Sequence, residues 1–194
     1  MYNAINSKYT YKGTEILKNR LGIKDEELLK EYETRIVAFK IATINSAKLP
    51  KDYTPERLKF INKYLFGEVY EFAGEYREEN ITKDNFRFSE FEYIDENIRR
   101  IFNNINIEEM KKMSFTKFVE QISFIMTELN VLHPFREGNG RTIRELVREI
   151  CFDCGYAIDW YEINHDDILR VAKLAVFDEK EQIKMLRRSI KKII

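Results

Sequence analysis

Little in this chain of 194 residues breaks, staples or biases a fold. Two cysteines cannot make a disulfide framework and suit a reducing compartment. Three prolines and seven glycines leave long stretches without breakers, which favours helices over many short strands. Neither charge sign is in excess: 33 Lys plus Arg balance 33 Asp plus Glu, so the global basic footprint of a nucleic-acid binder is missing. No run of about 18 apolar residues is present, which excludes a spanning helix. The first residues hold no apolar core of a secretory signal. Repeats, low-complexity tracts and Gly/Ser linkers are also lacking, so no domain boundary is drawn. What remains, 44% hydrophobic and 34% charged residues in 23.4 kDa, fits one soluble cytoplasmic domain over residues 1–194. No membrane partner and no direct nucleic-acid binding are expected.

Apolar periodicity supplies the elements. Residues 1–22 mix Tyr, Asn, Lys and Gly and read as an irregular arm. Residues 25–47 carry Leu28, Leu29, Tyr32, Ile36, Phe39, Ile41 and Ile44 at roughly helical spacing. Thr54-Pro55 starts a second helix that the pattern carries to about Phe72, with Leu58, Ile61, Leu65 and Val69 on one face. Residues 81–93 change character: Ile81, Lys83, Phe86, Phe88, Phe91 and Tyr93 flank an Asp84-Asn85 turn signal, the pattern of a short hairpin. Further helices are expected over 95–104, 114–131, 139–154, 165–176 and 178–194. The fold class is all-α, mainly helical, with one small β excursion.

One stretch concentrates chemistry: His133-Pro134-Phe135-Arg136-Glu137-Gly138-Asn139-Gly140-Arg141-Thr142-Ile143-Arg144. A Gly-Asn-Gly loop alone often only turns the chain. Here Gly138 and Gly140 let successive N–H groups point into one concavity. The following helix adds its unpaired N–H groups and dipole, both favourable to an anion. Arg141 and Arg144 lie three apart and project together, and arginine forks suit phosphate oxygens. Glu137 is a hard oxygen ligand for Mg²⁺ against such phosphates. His133 can exchange a proton near neutral pH. These are the parts of a nucleotide phosphate site with its own general base.

The same string resembles in full the signature of the Fic domain family, HxFx(D/E)GNGRxxR. The likeness extends to LFGEVYEFAGEYR (65–77), which is similar to the segment before that family's flap. It also includes 81–88, which resembles the flap hairpin, and CGYAIDW (154–160), which resembles the end of the motif helix. It covers roughly residues 9–160 and implies a helical bundle with a β-hairpin flap. The implied activity is protein adenylylation: AMP passes from ATP to a Tyr, Ser or Thr hydroxyl of a target protein, with release of pyrophosphate. The resemblance makes His133 the base, Phe135 a structural anchor and Glu137 the Mg²⁺ ligand. Gly138, Asn139 and Gly140 become the anion hole, Arg141 the partner of the β phosphate and Arg144 that of the γ phosphate. The flap, Ile81, Thr82, Lys83, Asp84, Asn85 and Phe86, would clamp the target by strand addition. A branch that phosphorylates its targets carries Lys where this chain has Gly140, so AMP transfer is favoured over a phosphotransferase. Transfer of other nucleotides or phosphocholine, and a non-catalytic nucleotide-binding module, are the remaining alternatives.

Many family members are silenced by a helix bearing Ser/Thr-x-x-x-Glu followed by Gly or Asn, whose Glu pairs with the second motif arginine. Only Thr116 and Glu120 have the spacing here, Gln121 follows them, and they read as ordinary helix-surface residues. The resemblance then implies a toxin held by a small separate antitoxin that supplies the helix. Asn62 and Tyr64, where relatives often carry His, and Phe72, where Trp is common, read as packing substitutions. Cys151 and Cys154 lack a second pair and read as small buried residues rather than a zinc site. Basic residues Lys184, Arg187, Arg188, Lys191 and Lys192 read as the solvated face of the last helix. Tyr156 and Trp160 are candidates either for the adenine pocket or for the core.

Overall fold

Helix starts follow the capping chemistry of the sequence. In the computed structural model, which describes residues 7–83 and 86–193, α1 (Glu26–Thr43) begins where the Asp25 carboxylate accepts from the Leu28 N–H at 2.8 Å. Proline opens α2 (Pro55–Phe66). A two-residue strand β1 (Thr82–Lys83) pairs antiparallel with β2 (Phe86–Arg87), Thr82 opposite Arg87 and Lys83 opposite Phe86. There follow α3 (Ile94–Phe102) and the single turn α4 (Ile107–Met110), capped by Asn106. Ser114 caps α5 (Phe115–Leu132), and Gly138 precedes α6 (Asn139–Asp153). The chain ends with β3 (Tyr156–Ile158), α7 (His165–Ala175) capped by Asn164, α8 (Lys180–Ser189) and β4 (Ile190–Lys192).

The core is a helix stack around α5 and α6. Leu58, Ile61 and Leu65 of α2, Ile122, Ile125 and Leu129 of α5, and Leu146, Val147 and Ile150 of α6 are fully buried. Their three- and four-residue spacing puts each set on one helix face, and each such side chain contributes about 1.5–3 kcal/mol on burial. α6 packs on α2, α5 and β3; α5 packs also on α3 and α8; α1 covers α2. A buried ion pair, Arg57 Nε to Glu149 Oε2 at 2.8 Å, crosses from α2 to α6. The loop between α5 and α6 therefore sits where three helices hold it from below.

Four expectations need correction. The second helix stops at Phe66, not near Phe72, because Asn62 Oδ1 captures the Gly74 N–H at 2.7 Å and residues 67–75 fold back as turns. Val69 and Tyr70 are thereby buried. The hairpin is confined to β1 and β2, and Phe91–Tyr93 form a 3-10 turn instead of strand; Asp84 and Asn85 lie outside the described residues. The segment CGYAIDW is not the end of a helix. Gly155 takes φ +83°, a left-handed conformation open to glycine, and swings the chain into β3. Finally, the last helix ends at Ser189. Ile190 then pairs with Ile158 across β4 and β3, and both are buried, a β-branched cross-strand pair that outweighs one more turn of helix. The basic residues of this segment are exposed, while Leu186 is fully buried.

The described part of the arm is irregular but tied down. Thr10 bridges Leu17, Arg20 N–H donates to Val69 O at 2.9 Å, and the buried Tyr9 ring meets Phe72 edge-on at 5.1 Å.

Candidate active site

The chain leaves α5 through His133, whose φ of 49° is the one positive value at a non-glycine among the described residues. Left-handed backbone costs such a residue roughly 1–2 kcal/mol, so neighbours must hold it. Arg77 does so. Its Nε donates to His133 O at 2.8 Å, its Nη2 to Leu132 O at 3.1 Å and to Ser89 O, and its Nη1 to Glu79 O at 2.8 Å. The Arg77 N–H adds a bond to Pro134 O at 2.8 Å. One buried guanidinium thus fixes the end of α5, the motif loop and the chain leaving the hairpin.

The imidazole itself is oriented from two sides. Its Nδ1 lies 3.3 Å from Asn130 O. A carbonyl can only accept, so Nδ1 carries the hydrogen and Nε2 keeps its lone pair. Phe88, just past β2, stacks on the ring at 3.8 Å and 21° and touches Phe86 edge-on at 5.2 Å. Burial pushes the His133 pKa down to about 3, against the Asn130 bond and with help from Arg77, Lys83 and Arg136. The ring is neutral near pH 7 and able to accept a proton at Nε2.

Beyond His133 the loop is stapled by its own residues. Phe135 is buried beside Tyr76, which it also meets through a backbone bridge. Asn139 Oδ1 accepts from Phe135 N at 2.9 Å while its Nδ2 donates to Phe135 O at 2.8 Å. Asn62 Nδ2 donates to Glu137 O at 3.1 Å and to Thr142 Oγ1 at 3.0 Å. Gly138 takes φ +81°, and a Cβ there would lie 2.2 Å from the Phe66 ring, so no other residue fits.

The first intrahelical bond of α6 runs from Thr142 N to Gly138 O at 3.0 Å. The N–H groups of Asn139, Gly140 and Arg141 therefore point past the helix end, where the dipole also favours an anion. Glu137 leans over this end: its Oε1 accepts from Gly138 N at 2.7 Å and lies 3.4 Å from Arg141 Nη2. Burial and the nearby Glu33 carboxylate push the Glu137 pKa up, opposed by Arg141. Arg141 lies over the Phe66 ring at 4.5 Å and pairs with Glu33 of α1 at 2.6 Å. Arg144 is lowered to about 10 by burial and by Arg141, which leaves it cationic. It lines a cavity of about 640 Å³ between α1 and α7 with Trp160 and Tyr161. Trp160 Nε1 donates to Arg144 O at 2.9 Å. The arrangement can hold a chain of phosphates at the start of α6, within the same loop as a neutral imidazole.

The family follows from a match over residues 52–151 to the model described as the Fic/DOC family, more than half of the chain. The chain belongs to the Fic/DOC family. A probable protein adenylyltransferase Fic of Salmonella typhimurium is 31% identical over 80% of this chain and 77% of its own length. Protein adenylyltransferase VbhT of Bartonella schoenbuchensis is 31% identical over 96% of this chain, and this chain spans 39% of that protein. Among solved structures, the VirB-translocated effector BepC of Bartonella tribocorum, crystallised with AMPPNP, superposes with a TM-score of 0.86. The overlap covers 96% of this chain and 97% of that one at 22% identity, a likeness of fold.

With the Fic assignment in hand, the motif residues separate by what they touch. His133, Glu137, Gly138 and Gly140 lie on the loop and the start of α6; Glu137 lines one cavity with Glu33 and Tyr70, while Arg141 and Arg144 line another. The Asn139 side chain lines neither: it is buried in the loop staple, and its backbone N–H is what it offers the helix end. Of the flap, Ile81 is buried while Thr82 and Phe86 are half-buried and Lys83 is exposed. Tyr156 stacks on Phe118 at 4.6 Å and belongs to the core. Asn62 is no mere packing substitution, since its side chain makes three hydrogen bonds that join the loop at Glu137, α6 at Thr142 and the turn at Gly74. Cys151 is buried but Cys154 only half so. Burial raises the two thiols to about 12 and 11, and among the described residues no group of three His, Cys, Asp or Glu could hold a metal. Thr116 and Glu120 are exposed on α5. Sequence reasoning missed Glu33, Tyr70, Arg77 and Phe88. Arg77 and Tyr70 stood inside the 65–77 match, and Phe88 follows Phe86 at strand spacing. Glu33 showed only as a charge between Leu29 and Val37 on one helix stripe.

Proposed function

We propose that this Fic domain adenylylates a protein hydroxyl with ATP. The observation that carries the reading is an imidazole whose Nδ1 faces the Asn130 carbonyl, on the same loop as a helix N-terminus flanked by two arginines. His133 Nε2 takes the proton as the target Tyr, Ser or Thr oxygen attacks the α phosphorus. The new O–P bond forms, the bond to the bridging oxygen breaks, and pyrophosphate leaves. Arg141 neutralises the β phosphate and Arg144 the γ phosphate, while the N–H groups at the start of α6 take oxygens of the transferring group. Asn139 supplies the loop staple and Phe135 its anchor, so the hole is built before the nucleotide arrives.

Mg²⁺ suits this donor set. The hydrogen bonds of Glu137 among the described residues fall on Oε1, which leaves Oε2 as a hard ligand, and Mg²⁺ commonly takes one carboxylate plus substrate phosphates. Bound there, it would supply charge neutralisation to the leaving diphosphate. The flap residues Ile81 to Phe86 present the target segment by strand addition, and Phe88 links that hairpin to the His133 ring. Among the described residues no helix is long and apolar enough to cross a membrane; the proposed reaction needs ATP and protein targets, which a cytoplasmic setting would supply.

Control belongs to a separate small protein, an antitoxin to this toxin, whose helix brings a Glu to Arg144. Two observations support it: the chain holds no Ser/Thr-x-x-x-Glu followed by Gly or Asn, and Arg144 faces an open cavity. Purified protein that is inactive until a terminal helix is deleted would overturn this part.

Label transfer tests the reaction. Protein, Mg²⁺ and lysate are incubated with ATP labelled at the α or the γ position. Protein-bound α label, lost in His133→Ala, is expected. Label from γ alone would mean phosphotransfer, and an unimpaired His133→Ala would remove the base from the mechanism.

A further inference from the structure

Helix α1 brings a buried carboxylate to the start of α6. Glu33 lies one turn from Leu29 and one from Val37 on the buried stripe of that helix, where a leucine would be the simple choice. Its burial is 9% exposed, a costly place for a carboxylate unless both oxygens are satisfied. They are. Oε1 pairs with Arg141 Nη2 at 2.6 Å, and Oε2 accepts from the Tyr70 hydroxyl, itself buried at 2%.

We infer that Glu33 is a positioning residue for Arg141 and that Tyr70 holds Glu33 for that task. This rests on the proposed assignment of Arg141 to a phosphate. An arginine on a first helical turn has many rotamers, and about 2 kcal/mol of rotamer entropy opposes fixing it. Three neighbours restrain this one: the Phe66 ring below, Glu33 at 2.6 Å and Glu137 at 3.4 Å. Glu137 is the weak restraint of the three, and a cation beside the phosphates would draw it away. Both carboxylates approach the guanidinium most closely at Nη2, and among the described residues no side-chain hydrogen bond is made by Nη1 or Nε, which suits them to an anion. Glu33 therefore holds the guanidinium by one corner without covering the donors that a phosphate needs. The chain Tyr70–Glu33–Arg141 runs from the turn after α2, through α1, into α6, and orders the arginine before any nucleotide binds.

The test is calorimetry of a non-hydrolysable ATP analogue with Mg²⁺, on wild type, Glu33→Ala, Glu33→Gln, Tyr70→Phe and the surface control Arg35→Ala. Circular dichroism establishes that each variant is folded. Glu33→Ala is expected to weaken binding about tenfold, the scale of one charge-assisted hydrogen bond. Glu33→Gln, which keeps the acceptor, should recover most of that loss, and Tyr70→Phe should lose about threefold. In transfer assays the Glu33→Ala defect should fall on KM for ATP, with kcat at saturation within about threefold. Should Glu33→Ala fail to fold, Tyr70→Phe and Glu33→Gln carry the test. Wild-type affinity in a folded Glu33→Ala or in Tyr70→Phe would overturn the inference. Tighter binding in Glu33→Ala would do so too, and would make Glu33 a competitor of the phosphate. If wild type binds no nucleotide, the proposed reaction falls first and this inference with it.

Discussion

At the scale of single residues, the site is governed by what holds each side chain rather than by the side chain alone. His133 shows this best. Its backbone strain is carried by Arg77, its tautomer by Asn130 and its ring plane by Phe88, so the imidazole is a neutral acceptor before substrate arrives. The consequence is a titration displaced far to acid. The chain has two histidines, so a His165→Asn variant leaves a single imidazole to follow by NMR. Its signals are expected to stay constant between about pH 8 and pH 5, where an unperturbed histidine with pKa near 6.5 would titrate; a midpoint near that value would contradict the burial. Linkage gives the matching stability effect. Because the folded pKa of about 3 lies below the unfolded 6.5, His133 favours the folded state above pH 6.5. That contribution is lost as pH falls through the window between the two values. Replacing His133 by Asn should flatten this part of the stability profile.

Elements matter here through the way they end. Four of their endings have an identifiable local cause. α2 ends on the Asn62 bond to Gly74, α5 on the left-handed His133, α6 at Gly155 and α8 where Ile190 finds Ile158. The last two build a small sheet that leads directly to Trp160, whose indole N–H binds the Arg144 carbonyl. Removing residues 190–194 should therefore do two things. It exposes Ile158 and deletes the buried Ile190, for a loss of about 2 kcal/mol, read as a lower urea midpoint. It also frees the segment carrying Trp160, so the KM for ATP should rise while His133 chemistry continues. An unchanged midpoint would mean that the strand pairing contributes nothing.

For the whole molecule, helical periodicity and the His133–Arg144 string were enough to foresee a helical bundle with its motif on a loop and helix start. The pattern was blind to contacts made across the fold. Asn62, Arg77 and Glu33 are polar residues that each reach a partner far along the chain, Glu137, His133 and Arg141 respectively, and nothing local distinguishes them from surface polars; Glu33 and Arg141 meet only because α1 covers α2 beside α6. That dependence on tertiary assembly has a measurable result. The unfolded chain has no nucleotide site, since the arginines, the loop staple and the supporting helices exist together only in the folded state. A nucleotide at 100 times its dissociation constant should then stabilise the fold by about 2.7 kcal/mol. For a chain of this size each kcal/mol raises Tm by about 2–4 °C, so an ATP analogue with Mg²⁺ should shift Tm by roughly 5–10 °C. His133→Ala should keep most of that shift, because in the proposed mechanism the base meets the target hydroxyl rather than the phosphates. Arg144→Ala should lose much of it at the same ligand concentration. A wild-type Tm indifferent to nucleotide, or an Arg144→Ala shift equal to wild type, would contradict the assignment of this cleft to ATP.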